Sequence, residues 1–243
     1  MKAALALIAA ALTLGLAPAR ADRLALWRIV HGECVPAGEK GEELPPPCLQ
    51  VEGATAVIKD RNGIAQLLAI PIARVTGIED PALLRHGAPN YFADAWRARP
   101  LMASYLTAML ARPDIGIAIN SEYSRSQDQL HLHVDCLKRE VIAALADYAP
   151  HFDGQWRPMT VALMGRKYWA RRVDSADLGR VDPFRLLSAD MPKEKDEMGS
   201  WSLAAVPVDF ANGRGFALLA DHAELAAGGH AEDLQDHDCA VAR

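Results

Sequence analysis

Residues 129–136 read QLHLHVDC. As a strand, with side chains alternating between its two faces, this stretch puts Gln129, His131, His133 and Asp135 on one side and Leu130, Leu132, Val134 and Cys136 on the other. The second set belongs against a core, and the first set carries chemistry. Two neutral imidazoles about 6 to 7 Å apart along a strand suit a metal ion or a phosphorus centre, and an HxH pair also occurs as an ordinary surface feature. The choice among these rests on what surrounds the pair.

Immediately upstream, residues 115–120 (IGIAIN) form an apolar strand, separated from the histidines by the polar loop SEYSRSQD. Further back, TAVIKD (55–60), Asn62-Gly63 and IAQLLAIP (64–71) read as a hairpin with a tight turn. Between hairpin and strand, residues 89–110 carry Tyr91, Phe92, Ala95, Trp96, Leu101, Met102, Leu106 and Met109 at helical recurrence, with Pro100 expected to kink or divide the helix. Downstream, residues 139–148 are helical in pattern. GRKYWARRV (165–173) follows as a strand, then a helix around 183–188, then SWSLAAVPVDF and GRGFALLAD as two strands across Asn212-Gly213. The expectation is an α+β domain. The second half repeats the first in outline, with FALLAD standing where the first half has LHLHVD.

The N-terminus has the grammar of an export signal: Lys2, an apolar run over 3–17, then Ala19-Arg20-Ala21 before the first acid, Asp22. The run falls short of the roughly 20 residues that cross a bilayer as a helix. Residues 1–21 are therefore expected to be a cleaved signal peptide or a retained membrane anchor, with 22–243 as one folded domain outside the cytoplasm, in the periplasm. Exported thiols tend to pair. The even set Cys34, Cys48, Cys136 and Cys239 allows three connectivities, of which we favour Cys34 with Cys48 and Cys136 with Cys239. Closing the short Pro- and Glu-rich loop between the first two stabilises by about 3 kcal/mol in the chain-entropy model. No CxxC spacing favours a zinc site on these cysteines. A net charge of -5 argues against a nucleic-acid partner.

The order of parts resembles the histidine-triad (HIT) superfamily: VIKDRNGIAQLLAIP (57–71), IGIAINS (115–121) and QLHLHV (129–134). With KDRNG, AINS, ARRV, MGS and QDHDC, the chain is similar to the bacterial CDP-diacylglycerol pyrophosphatase family within it. The resemblance implies a HIT-like antiparallel sheet with flanking helices, two such motifs in one domain if the second half is a repeat, and no metal or cofactor. The superfamily motif is His-φ-His-φ-His-φ-φ, with φ an apolar residue, and here Gln129 replaces the first histidine. The nucleophile of the resemblance then falls on His131 and the third member on His133. Gln129 is expected to keep a hydrogen-bonding role as an amide. Asp60 corresponds to the ribose-binding acid and Asn120 to the strand-end asparagine beside the phosphate. Ser126 and Gln127, in the 124–127 loop, are candidates to hold phosphate oxygens.

These correspondences imply hydrolysis of CDP-diacylglycerol at the inner-membrane surface through a nucleotidyl-histidine. A transferase passing the same cytidylyl group to another acceptor uses the same residues. A periplasmic metal-binding protein would instead gather His131, His133 and Asp135 on one ion. Taken alone, Asp60 beside Asn62-Gly63 is a turn former and Asn120 a strand-end cap. Arg166, Lys167, Arg171 and Arg172 around Tyr168 and Trp169 suit either lipid headgroups or a charge-protected sheet edge. The acidic tail with His222, His230 and His237 is expected to be mostly solvated.

Overall fold

The histidine segment is buried on both faces, its side chains alternating between an apolar core and a polar interior. Leu130, Leu132, Val134 and Cys136 all enter the main core, as their period-two spacing requires. The computed structural model describes residues 22–191, 197–223 and 228–243, so the expected leader over 1–21 lies outside the described residues. Among the described residues no helix is long and apolar enough to cross a membrane.

The first half contributes β1 (Cys48–Glu52), β2 (Thr55–Lys59), β3 (Leu67–Pro71), β4 (Ile115–Ile119) and β5 (Leu132–Cys136). The second contributes β6 (Arg157–Pro158), β7 (Trp169–Val173), β8 (Trp201–Phe210) and β9 (Gly213–His222). All nine join one antiparallel sheet in the order β1-β2-β3-β5-β4-β8-β9-β7-β6. Apart from β1, which has no counterpart, that order is symmetric about the β4–β8 seam, where Ala118 faces Ala204. Outward from the seam stand β5, β3 and β2 on one side and β9, β7 and β6 on the other.

The registers match as well. Ile115 faces Cys136 and Ala118 faces His133 on one side; Trp201 faces His222 and Ala204 faces Leu219 on the other. FALLAD thus occupies in β9 the positions that LHLHVD occupies around β5.

Helices sort to the two faces of this sheet. On the apolar face of β5 pack α3 (Tyr91–Ala98) and α5 (Pro183–Asp190), which meet through Phe92 and Phe184 at 5.0 Å between ring centroids. Asn90 and Asp182 cap them, their side chains accepting from backbone N–H groups in the first turn. Pro100 ends the regular helix, and the chain continues as a 3₁₀ turn over Arg99–Tyr105.

The histidine face has three coverings. At the β1–β3 edge lies an N-terminal helical run, α1 (Ala25–Ile29), a π segment (Val30–Cys34) and α2 (Val35–Lys40). Over β8 and β9 lies α4 (Arg139–Tyr148), packing Val141 and Leu145 with Val206, Ala217 and Leu219. The C-terminal segment closes the middle. Cys136–Cys239 ties it to the end of β5, and Cys34–Cys48 ties the helical run to β1, with Cα separations of 5.2 and 5.5 Å.

The expected tight turn at Asn62-Gly63 is wider than that spacing suggests. The Gln66 carbonyl still accepts from the Asp60 N–H at 3.1 Å, but Ile64 and Ala65 leave the ladder, the Ile64 N–H donating to the His237 carbonyl at 2.9 Å. At the other hairpin Phe210 pairs directly with Gly213, so Ala211 and Asn212 form the turn.

Candidate active site

His131 sits where β5 begins, on the floor of a cleft of about 650 Å³. The cleft lies between the N-terminal helical run, the end of β2, the 124–127 loop and the C-terminal segment. Nδ1 of His131 donates to the main-chain carbonyl of Gln129 at 2.7 Å, which leaves Nε2 as the lone-pair nitrogen. Burial, with His133 beside it, pushes the His131 pKa down to about 4, so the ring is neutral at ordinary pH. A neutral ring of fixed tautomer is what nucleophilic attack on phosphorus requires.

His133 lies one strand period further on, its ring centroid 5.0 Å from that of His131. Its Nδ1 is 3.1 Å from Glu232 Oε1 and 2.9 Å from Gln66 Nε2, and its buried Nε2 has no partner among the described residues. Glu232 belongs to the tail that was expected to be solvated; instead it reaches into the cleft wall. Gln66 Nε2 donates to Oε1 at 3.0 Å and Asn120 Nδ2 to Oε2 at 2.9 Å, while the Glu232 N–H donates to Asn120 Oδ1 at 3.1 Å. Burial alone would raise this carboxyl; the donors from His133, Gln66 and Asn120 overcome it and hold the acid well below the usual carboxylate range.

Behind Glu232, His237 donates from Nδ1 to the fully buried Asp135 at 2.8 Å, with Nε2 3.6 Å from Glu232. The hydrogen bond to Asp135 raises the His237 pKa, and burial raises that of Asp135.

The remaining candidates are placed as follows. Asp60 lines the cleft at the end of β2, its carboxylate accepting from the Asn62 N–H at 3.2 Å. Ser126 lines it too. Gln127 lines it as well, its side-chain amide donating to the Asp22 carbonyl at 2.9 Å and accepting from the Leu26 N–H at 3.2 Å, which fastens α1 to the loop. Gln129 departs furthest from expectation: its amide donates to the carbonyls of Pro71 and Ala73 and accepts from Arg74. All its polar atoms are satisfied away from the cleft, and its contribution to His131 is the main-chain carbonyl. Asn120 is at the site, but its amide is spent on Glu232.

Sequence patterns missed Glu232, His237 and Gln66. The favoured Cys136–Cys239 pairing was the one signal that could have found the first two, since it returns the tail to the end of the histidine strand. In the basic cluster on and before β7, Arg166 pairs with Asp221 at 3.0 Å, Arg171 with Asp190 and Arg172 with Asp174; β7 itself lies between β9 and the short β6, so the structure does not put it at the expected sheet edge.

His131, His133 and Asp135 do not converge as a metal-ligand set. Among the described residues the three potential ligands that come together are Asp135, Cys136 and Cys239, and both cysteines are in a disulfide.

Fold and site together define an α+β protein with a paired-histidine cleft closed by its own C-terminal segment. A family model for CDP-diacylglycerol pyrophosphatase matches residues 21–243. A Yersinia pestis protein named CDP-diacylglycerol pyrophosphatase is 44% identical over 241 residues, covering 98% of this chain and 91% of the relative. The chain belongs to the CDP-diacylglycerol pyrophosphatase family.

Proposed function

We propose that the protein hydrolyses CDP-diacylglycerol to CMP and phosphatidate through a nucleotidyl-histidine on His131. The observation that carries this is the His131 ring: neutral, with Nδ1 locked on the Gln129 carbonyl and the other nitrogen directed to a cleft large enough for a nucleotide headgroup. In the first step Nε2 of His131 attacks the cytidylyl phosphorus, a P–N bond forms, the anhydride P–O bond breaks, and phosphatidate leaves. In the second step water attacks the same phosphorus, the P–N bond breaks, and CMP departs with His131 restored. Dividing one displacement into two is covalent catalysis, and positioning with charge stabilisation supplies most of the acceleration in phosphoryl-type transfer.

Asp60, at the cleft edge, is read as the ribose-binding acid and Ser126, in the same cleft, as a donor to phosphate oxygens. The symmetric strand order and matched registers support two HIT-like motifs in one domain, of which the first keeps the histidines. The leader pattern and the two disulfides support an exported enzyme working at the inner-membrane surface.

The test is His131→Ala assayed on CDP-diacylglycerol with folding checked by circular dichroism. Turnover is expected to fall by more than about 100-fold with the fold intact. A folded variant retaining more of the rate, or a wild-type activity lost to EDTA and restored by zinc, contradicts the mechanism.

A further inference from the structure

Glu232 poses a problem that the first step does not solve. A carboxylate facing a cleft for a pyrophosphate repels its substrate, yet here three side chains converge to keep it ionised. Its charge is directed at one ring nitrogen, His133 Nδ1, while the opposite nitrogen of that ring is buried with no partner among the described residues, next to the nucleophile. Gln66 Nε2, 2.9 Å from the same Nδ1, donates to Glu232 Oε1; with Nδ1–H donating to that carboxylate as well, the lone pair of His133 lies on Nε2. A buried imidazole with a free lone pair, backed by a carboxylate, is the arrangement of a general base.

We propose that Glu232 is a positioning residue for the second step: it fixes the His133 tautomer and offsets the charge that ring acquires when Nε2 takes a proton from the attacking water. The inference rests on the nucleotidyl-His131 reading above. The water oxygen bonds to phosphorus and the P–N bond to His131 breaks. One water proton passes to His133 Nε2 and from there to solvent, and Glu232 stays a carboxylate throughout. His237, 3.6 Å from Glu232 and anchored on Asp135, fixes the carboxylate from behind. In this account the tail promotes water as acceptor, which makes the protein a hydrolase where the bare nucleophile would equally serve a transferase. The competing role for Glu232 is purely mechanical, an anchor for the tail through Asn120.

Glu232→Gln separates the two, because glutamine keeps the shape and the hydrogen bond from Asn120 while losing the charge. Rapid-quench measurement on CDP-diacylglycerol labelled in the cytidylyl phosphate reads formation and decay of the protein-bound label individually. The expected result is formation within about threefold of wild type and decay slowed by about 100-fold, so that labelled enzyme accumulates. Fluoride, a nucleophile that needs no base, should restore turnover of the trapped species.

Equal slowing of both steps, or unchanged decay, overturns the proposal. If E232Q does not fold, Glu232→Asp, which keeps the charge at a shorter reach, is expected to show the same preferential slowing of decay, and equal slowing there overturns it too. Wild-type enzyme that never acquires label sinks the nucleotidyl-histidine itself, a different result from an E232Q enzyme that acquires and loses label normally.

Discussion

The two halves of the sheet have the same strand order and register but opposite uses. Where the first half presents His131 and His133 to a cleft, the second presents Ala217 and Leu219 to α4. Leu219 is completely buried among Val141, Leu145 and Val206, whereas His133, at the matching register, faces an ionised carboxylate. Asp135 and Asp221 also match in register and differ in partner, the first held by His237 and the second by Arg166. A strand face therefore becomes a site or a core according to what covers it. The helix after β5 crosses to the second half and fills its face, leaving the first to the N-terminal helical run at its edge and the thin C-terminal segment in the middle, with the cleft between them.

The contrast can be broken most severely at the matching positions 131 and 217. His131→Ala should remove turnover by more than about 100-fold, while Ala217→Ser, on the covered side, should leave kcat unchanged; a kcat loss at 217 comparable with that at 131 would place chemistry in both halves.

Next in size is the tail. Replacing Cys136 and Cys239 by serine opens a loop of 103 residues, for which the chain-entropy model gives about 4.7 kcal/mol. It should also slow turnover at least about tenfold, because Glu232 and His237 lose their anchor. Removing Cys34–Cys48, with a separation of 14, should cost about 3 kcal/mol. Denaturant titrations beside activity assays compare the two, and a Cys136–Cys239 variant of full activity would detach the tail from the chemistry.

Leu219→Ala should cost about 2 to 5 kcal/mol by cavity formation while the folded fraction keeps its kcat, measured in the same way. A kcat loss beyond the folded fraction would couple the second half to the site.

The smallest effect is in pH. His131 binds a proton more weakly folded than unfolded, so the unfolded state gains protons first as pH falls. Stability should drop by up to about 3 kcal/mol between the ordinary histidine value near 6.5 and the folded value of about 4. His131→Ala should remove that component of the pH dependence, and the acid limb of kcat/KM should lie near pH 4. A limb near 6.5 would mean that the ring is not held neutral by its surroundings.

Much of this arrangement was legible beforehand wherever a local pattern decided it. Alternation placed Leu130 to Cys136, Pro100 divided the first helix, α4 followed its apolar spacing, and the even cysteine set paired as favoured. What escaped depends on contacts between distant segments. No periodicity announces that Ile64 would bond to His237, or that Glu232, in a stretch of charge resembling a solvated tail, would find three donors in a cleft. Gln129 and Gln127 carry the donors that a phosphate site needs. Both spend them on backbone carbonyls: Gln129 because a buried amide must be satisfied, and Gln127 because α1 lies against its loop.

The most direct test of the central claim is to incubate the enzyme with CDP-diacylglycerol labelled in the cytidylyl phosphate, quench under conditions that preserve an acid-labile P–N bond, and locate the label by peptide mapping. The account predicts stoichiometric label on the peptide containing His131, absent in His131→Ala. Full wild-type turnover with no protein-bound label, or label on any other residue, would contradict it.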